Sequence, residues 1–293
     1  MLSLSECIPW MTVGLAESVA IVTLNLCTII VFIKNRNLRK RCTYLVINLA
    51  VIDMFAGGVP VYNLFYVPGA NCNFWKRHSI EVGIPSFMRV LRKMFLAGSL
   101  INITIIALER VHATFFPFRH RVLKKWVYGL IIAVVWVPSG LVSVSLTLVL
   151  FEDFQYAVSL ERTLLSICLF IISISYTSIV IKVRYGAQPP HHGAASRERK
   201  LTMTLFIVTV VSLLLYLPYV VIVFAFFIGK SDTSWSAFIH LSYAFFVLVY
   251  ANSLVNPILY AIRMAEYRSA FLALFRRRAQ QQRQVVVLPL RNM

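Results

Sequence analysis

Long apolar runs alternate along this chain with short polar interruptions, most of them basic. Seven runs have the roughly 20 mainly apolar residues that an α-helix needs to cross ~30 Å of hydrocarbon at 1.5 Å per residue. They are Thr12–Ile33, Cys42–Tyr66, Ser86–Phe115, Trp126–Phe151, Thr163–Ile181, Leu201–Gly229 and Thr233–Ile262, and the fourth, sixth and seventh contain no Asp, Glu, Lys or Arg. Lipid offers no water to backbone donors and acceptors, so each run is predicted to be a helix. After them, RMAEYRSAFLALFRRR places Met264, Tyr267, Phe271 and Leu274 on one face with bases opposite, the pattern of a helix lying on a membrane surface. The pattern predicts an all-α membrane protein, a seven-transmembrane helix bundle with a short C-terminal amphipathic helix. Residues 1–11 form a short outer N-terminus, 12–262 the bundle, 263–278 the surface helix and 279–293 a short inner tail.

Composition agrees, with 59% hydrophobic residues, only 14% charged and a mean hydropathy of +0.76, far from the mix of a soluble domain. Charge then sets the orientation. Of the 29 Lys and Arg, 22 fall on one side, within Lys34–Arg41, Arg110–Lys125, Lys182–Lys200 and from Arg263 onward, accompanied there by only three acids, Glu109, Glu198 and Glu266. The positive-inside rule makes that side cytoplasmic, so the N-terminus is expected outside and the C-terminus inside the cell. The net charge of +18 is then topological; inner-leaflet lipid is a natural neighbour for it, and no nucleic-acid partner is needed. The opening MLSLSECIPW is too short and polar for a cleaved signal. No nucleophile with its base, metal-ligand spacing or phosphate loop points to an enzyme.

Polar residues inside the spans carry the chemistry. Asp53 stands near the middle of the second span, where a lone carboxylate costs ~3 kcal/mol. Ser99 in the third span and Asn252, Ser253 and Asn256 in the seventh lie at similar depth. These oxygens are of the kind that hold a small hard cation such as sodium; a hydrogen-bonded polar core with protonated Asp53 is the other reading. The third span is ionic at both ends. Arg89, Arg92 and Lys93, spaced i, i+3 and i+4, share a face at its outer end, and Glu109 and Arg110 close its inner end. The helix therefore connects an outer pocket to an inner switch. An anionic ligand held by Arg92, with Arg89 or Lys93 helping, is one use of the outer bases; pairing with Glu17, Glu81, Glu152, Asp153 or Glu161 is the other.

Asn25, the LAVID of the second span, Glu109-Arg110, Pro117-Phe118, Trp136, Tyr176, Pro218 and the NSLVNPILY of the seventh span occur in an order and spacing that resembles the rhodopsin-like (class A) G-protein-coupled receptors. The joint pattern covers nearly the whole chain. The resemblance implies a plasma-membrane receptor, not an enzyme, that binds an extracellular ligand and activates a heterotrimeric G protein through outward movement of the sixth helix. It places the switch on Glu109, Arg110, Glu198, Pro117, Phe118, Tyr176, Pro218, Asn256, Pro257 and Tyr260, with Glu198 bridging to Arg110 at rest. It implies ligand contacts near Arg89, Arg92, Lys93, Tyr216 and Tyr250, and a sodium pocket, with no other cofactor, from Asp53, Ser99, Asn252, Ser253 and Asn256.

The departures from that pattern are specific. Val111 replaces the usual aromatic after the arginine, Tyr216 replaces the usual tryptophan before Pro218, Ser212 replaces an aromatic one turn inward, and Cys168 fills a proline position. Arg92 occupies the place of the amine receptors' aspartate and Tyr250 that of an opsin's lysine, which argues against a biogenic-amine ligand and against light detection. Pro85 stands where the family has a disulfide cysteine, leaving Cys7 and Cys72 as the two cysteines able to pair outside; spacing alone leaves that pairing open. A receptor that signals without ligand, or a small transporter or channel built on Asp53, are the alternatives, the latter without the internal repeat that transporters commonly carry.

Overall fold

The structure, a computed structural model, describes residues 4–35, 38, 43–59, 61, 64, 68–69, 72, 83–152, 154–185, 203–204, 206–218 and 235–274. Every regular element among them is a helix. The first span forms Leu4–Lys34, the third Gly83–Phe115, the fourth Lys125–Glu152, the fifth Phe154–Tyr185 and the seventh Trp235–Arg263. These five are long and apolar enough to cross a membrane. Two shorter apolar helices, Thr43–Ala56 and Phe206–Pro218, lie within the expected second and sixth spans. The first helix starts at Leu4, well before Thr12, and the fifth is longer at both ends than its apolar run. Hydropathy marks only the portion that lipid surrounds; helical hydrogen bonding continues beyond it.

Local chemistry explains the interruptions. Regular winding in the second span stops at Ala56, before the Gly57-Gly58 turn, where two residues without a Cβ lower the helix propensity. A short helix, Pro117–Val122, follows the third span with proline at its first turn, the one place in a helix where the missing N–H costs nothing. A break at Met264 separates the seventh span from a surface helix over 265–274. Its apolar face does not simply lie on lipid. Tyr267 is fully buried, and Met264, Phe271 and Leu274 pack with it against the inner core. The Tyr267 hydroxyl meets Thr28 Oγ1 at 2.7 Å, and burial pushes that phenol up to about 12, so it stays protonated.

The third span packs against the second, fourth and fifth, and the first span against the second and seventh. Gly14 allows close approach of the first two, because a Cβ there would meet the Leu64 backbone at 3.2 Å; Ser18 Oγ donates to the Gly57 carbonyl beside it. Two apolar clusters result. The inner one gathers Leu45, Leu49, Ile103, Ile106, Ala107, Ile172 and Tyr260, and the outer one Cys7, Ile21, Ile52, Phe95, Tyr243 and Tyr250. A disulfide joins Cys7 to Cys72, with Cα atoms 6.5 Å apart, and ties the start of the first helix to the segment after the second span. The pairing that sequence left open is thereby resolved.

Candidate functional site

Asp53, fully buried, is the hub of a polar site at mid-bundle. Its Oδ1 accepts from Ser99 Oγ at 3.2 Å and from Ser253 Oγ at 2.9 Å, and its Oδ2 accepts from Asn256 Nδ2 at 2.7 Å. Three spans thus converge on one carboxylate. Asn25 supports them from the first span, donating to the Ser253 carbonyl at 3.0 Å. Asn252 points elsewhere and donates to the Tyr216 phenol oxygen at 3.5 Å. The side-chain oxygens Asn25 Oδ1, Asn252 Oδ1 and Asn256 Oδ1 are buried without a hydrogen-bond partner among the described residues. Buried acceptors left in this way are uncommon. Four of the five residues read as a cation site, Asp53, Ser99, Ser253 and Asn256, are therefore brought into direct contact, while Asn252 turns to Tyr216.

A second polar site lies between the second, third and fourth spans. Asn48 Nδ2 donates to Asn102 Oδ1 at 3.0 Å, Asn102 Nδ2 to the Leu45 carbonyl at 3.0 Å, and Trp136 Nε1 to Asn48 Oδ1 at 2.9 Å. Trp136 is thus held by a hydrogen bond as well as by packing. Asn102 is fully buried and links the third span to the second through these bonds.

At the inner end, Arg110 is buried and engages Glu109. Its Nε donates to Glu109 Oε2 at 2.5 Å, and a second guanidinium nitrogen pairs with the same oxygen. The other carboxylate oxygen faces a pair of residues that the sequence reading did not single out. His120 Nε2, from the short helix after Pro117, lies 2.6 Å from Glu109 Oε1, and the Tyr128 hydroxyl approaches that oxygen at 3.4 Å. Glu109 is therefore held from both sides, by the arginine and by the second inner loop with the start of the fourth span. Glu198, the expected partner of Arg110, lies outside the described residues. Tyr176 is buried and meets Thr209 Oγ1 of the sixth span at 3.0 Å. Tyr260 packs edge-on against Phe32 and Tyr267, so the two switch tyrosines have separate partners here. Pro117 and Phe118 are exposed, Phe118 at 82%, and Pro218 ends the described part of the sixth helix, while Pro257 lies inside the seventh.

The outer end is built differently. The Arg92 guanidinium carbon lies 5.5 Å from the centroid of the Phe246 ring, and Phe246 stacks on Tyr250 at 6.3 Å, so a cation–π contact joins the third span to the seventh. Lys93 is buried beside it. The Arg89 side chain lies outside the described residues, as do Glu81, Asp153 and the side chains of Glu152 and Glu161. Glu17, the remaining acid considered as a partner for these bases, is buried, and its Oε2 has no hydrogen-bond partner among the described residues. Above this level, Trp10 Nε1 donates to His240 Nδ1 at 3.0 Å and His240 Nε2 lies 3.3 Å from Glu6 Oε1. These contacts bind the outer ends of the first and seventh spans and had no sequence signature, since their members lie over 200 residues apart.

Comparison with known proteins agrees with this arrangement. Residues 24–260 match the family model described as "7 transmembrane receptor (rhodopsin family)". The mouse neuropeptide Y receptor type 2 is 26% identical over 84% of this chain and 70% of its own length. A zebrafish galanin receptor 2b is 27% identical over 78% and 65%, and the mouse melanocortin receptor 5 is 21% identical over 84% and 78%. The chain thus spans roughly two thirds to three quarters of these relatives. A family match over residues 24–260, most of the chain, makes this protein a multi-pass membrane receptor of the rhodopsin family of seven-transmembrane, G-protein-coupled receptors.

Proposed function

We propose that the receptor takes its ligand at the end that carries Arg92, Lys93 and the Cys7–Cys72 bridge, and activates a heterotrimeric G protein at the end that carries Arg110. The orientation rests on the bases gathered at the Arg110 end and on the disulfide at the opposite end, since disulfides persist in oxidising, extracellular surroundings. The single observation that carries the reading is the buried Arg110 held by Glu109. A buried guanidinium engaged by a carboxylate is a strong, geometry-dependent clamp, and releasing it exposes a cation to an incoming partner.

For the ligand, the relatives named for neuropeptide Y and the bases at the outer pocket together favour a peptide with an acidic group set against Arg92 and Lys93. Binding acts by population shift. A ligand that prefers the form in which Arg110 is free moves the equilibrium only by that preference, ~5.5 kcal/mol for a near-complete switch. Pro218 supplies the bend about which the sixth span swings outward. Tyr176 leaves Thr209 in that movement, and Phe118, exposed on the second inner loop, is a contact for the G protein.

The residues around Asp53 fit a sodium ion: a carboxylate, the hydroxyls of Ser99 and Ser253, and the amide oxygen of Asn256, which has no hydrogen-bond partner among the described residues. When bound there, the ion neutralises Asp53 and favours the resting arrangement of the three spans that meet at it.

The test is nucleotide exchange on a panel of purified G proteins by the receptor in lipid nanodiscs, screened against a library of acidic and amidated peptides. Peptide-dependent exchange that Arg110→Ala abolishes is expected. Ion flux through receptor vesicles with no exchange by any G protein would favour the channel reading instead.

A further inference from the structure

At the outer rim, the first and seventh spans meet through three side chains that take no part in the signalling proposed above. Trp10 Nε1 donates to His240 Nδ1 at 3.0 Å, and His240 Nε2 lies 3.3 Å from Glu6 Oε1. An indole nitrogen can only donate, so Nδ1 is the acceptor and the hydrogen of the neutral ring sits on Nε2, toward the Glu6 carboxylate. Glu6 and Trp10 are four residues apart on the first helix and share one face of it. Cys7, between them, is tied to Cys72. Tyr243, one turn further along the seventh helix, packs on the Trp10 ring with centroids 5.7 Å apart. Among the described residues, Glu6 is the charged group that faces the His240 ring, and Tyr243 is the other titratable group at this seam. The His240 side chain is 31% exposed, within reach of protons from the surrounding water.

We infer that this seam is a proton-operated contact: a second proton on His240 breaks its bond to Trp10 and strengthens its bond to Glu6, so that the outer end of the receptor responds to extracellular acidity. The inference rests on the orientation proposed above, which puts this end outside the cell. Histidine is the side chain that ordinarily changes charge between about pH 5 and 8. In the imidazolium both ring nitrogens carry hydrogen. Nδ1 then turns a donor toward the donor of Trp10, and that bond is lost. The Nε2 hydrogen at the same time joins a cation to a carboxylate, and a charge-assisted bond is roughly twice as strong as a neutral one. Attachment of the seventh span to the first thus moves from Trp10 to Glu6, one turn nearer the N-terminus. His240 stands on the same helix as Phe246, the ring against which Arg92 rests, so the exchange takes place on an element that also reaches the proposed ligand end.

The test places 5-fluorotryptophan at position 10 of the purified full-length receptor in nanodiscs and follows its fluorine resonance from about pH 8 to about pH 5. His240→Gln is the control, because its amide offers an acceptor and a donor but takes no proton in this range. A resonance that shifts with pH in the wild type and stays still in His240→Gln is expected. In intact cells carrying G-protein activation sensors, with only the outer medium acidified, basal output of the wild type should change by about twofold or more, the scale of one neutral hydrogen bond, while that of His240→Gln stays level. A resonance indifferent to pH, or one that moves equally in His240→Gln, overturns the inference; so does, where a G protein responds, output that does not distinguish the two receptors. If no G protein responds at any pH, the signalling proposed above fails, and the resonance still decides this inference. Should His240→Gln not fold, Glu6→Gln with the same label takes its place. Loss of the carboxylate that favours the imidazolium should move the transition to lower pH, and an unmoved transition overturns the inference.

Discussion

The two ends of the third span both carry charge, yet they are held in opposite ways. At the inner end, Glu109 receives Arg110 on one oxygen and His120 with Tyr128 on the other, so a buried charge meets charge and hydrogen bonds within a short stretch of chain. At the outer end, Arg92 lies over an aromatic ring supplied by the seventh span. A buried ionic site supported from both sides holds one arrangement until something replaces its bonds. The cation–π contact at the outer end is of a different kind and is worth about 0.5–2 kcal/mol. One helix thus carries an ionic clamp at its inner end and a cation–π contact with the seventh span at its outer end.

That contrast can be broken by substitution. The largest effect is expected at the outer end from Cys7→Ser. The bridge spans 65 residues of sequence, and the chain-entropy picture gives ~4 kcal/mol as its upper worth, so the thermal midpoint should fall by roughly 10 °C. An unchanged midpoint would mean that the outer end is ordered without the bridge. Arg92→Ala should next weaken an acidic peptide agonist by at least about tenfold, the scale of a hydrogen bond to a charged group, while basal nucleotide exchange stays level. Loss of basal exchange instead would make Arg92 a structural residue. His120→Ala, removing one of the two supports of Glu109, should raise basal exchange by about fivefold. Smallest is Tyr128→Phe, whose 3.4 Å contact is long for a hydrogen bond; it should change basal exchange by less than about twofold. A Tyr128 effect larger than that of His120 would invert the proposed hierarchy at Glu109.

Much of this arrangement was legible before the structure. Twenty apolar residues in a row admit few folds, so the seven spans followed from hydropathy and backbone hydrogen bonding. Asp53 announced itself because a mid-span carboxylate demands partners, and depth matching found Ser99, Ser253 and Asn256, which do contact it. Depth does not fix which way a side chain turns, and so Asn252 faces Tyr216 instead. His120 was missed because a histidine among the bases of an inner loop reads as surface charge. The clue was Pro117, which starts a helical turn and folds the loop back toward Glu109. The bond between Trp10 and His240 depends on how the first and seventh spans meet, which no local pattern encodes. Cys7 and Cys72 were identified as the available pair by elimination, but their bonding required the two segments to be seen adjacent.

The central claim is that Glu109 keeps Arg110 from its partner at rest. Basal nucleotide exchange on purified G protein, measured for Glu109→Gln against wild type in the same nanodiscs without ligand, tests it most directly. Removing the charge weakens the bonds to both Arg110 and His120, each a charge-assisted contact worth about 1.5–3 kcal/mol, so basal exchange should rise by at least about tenfold. Basal exchange equal to wild type, in a receptor shown to be folded by its thermal unfolding, would contradict the claim.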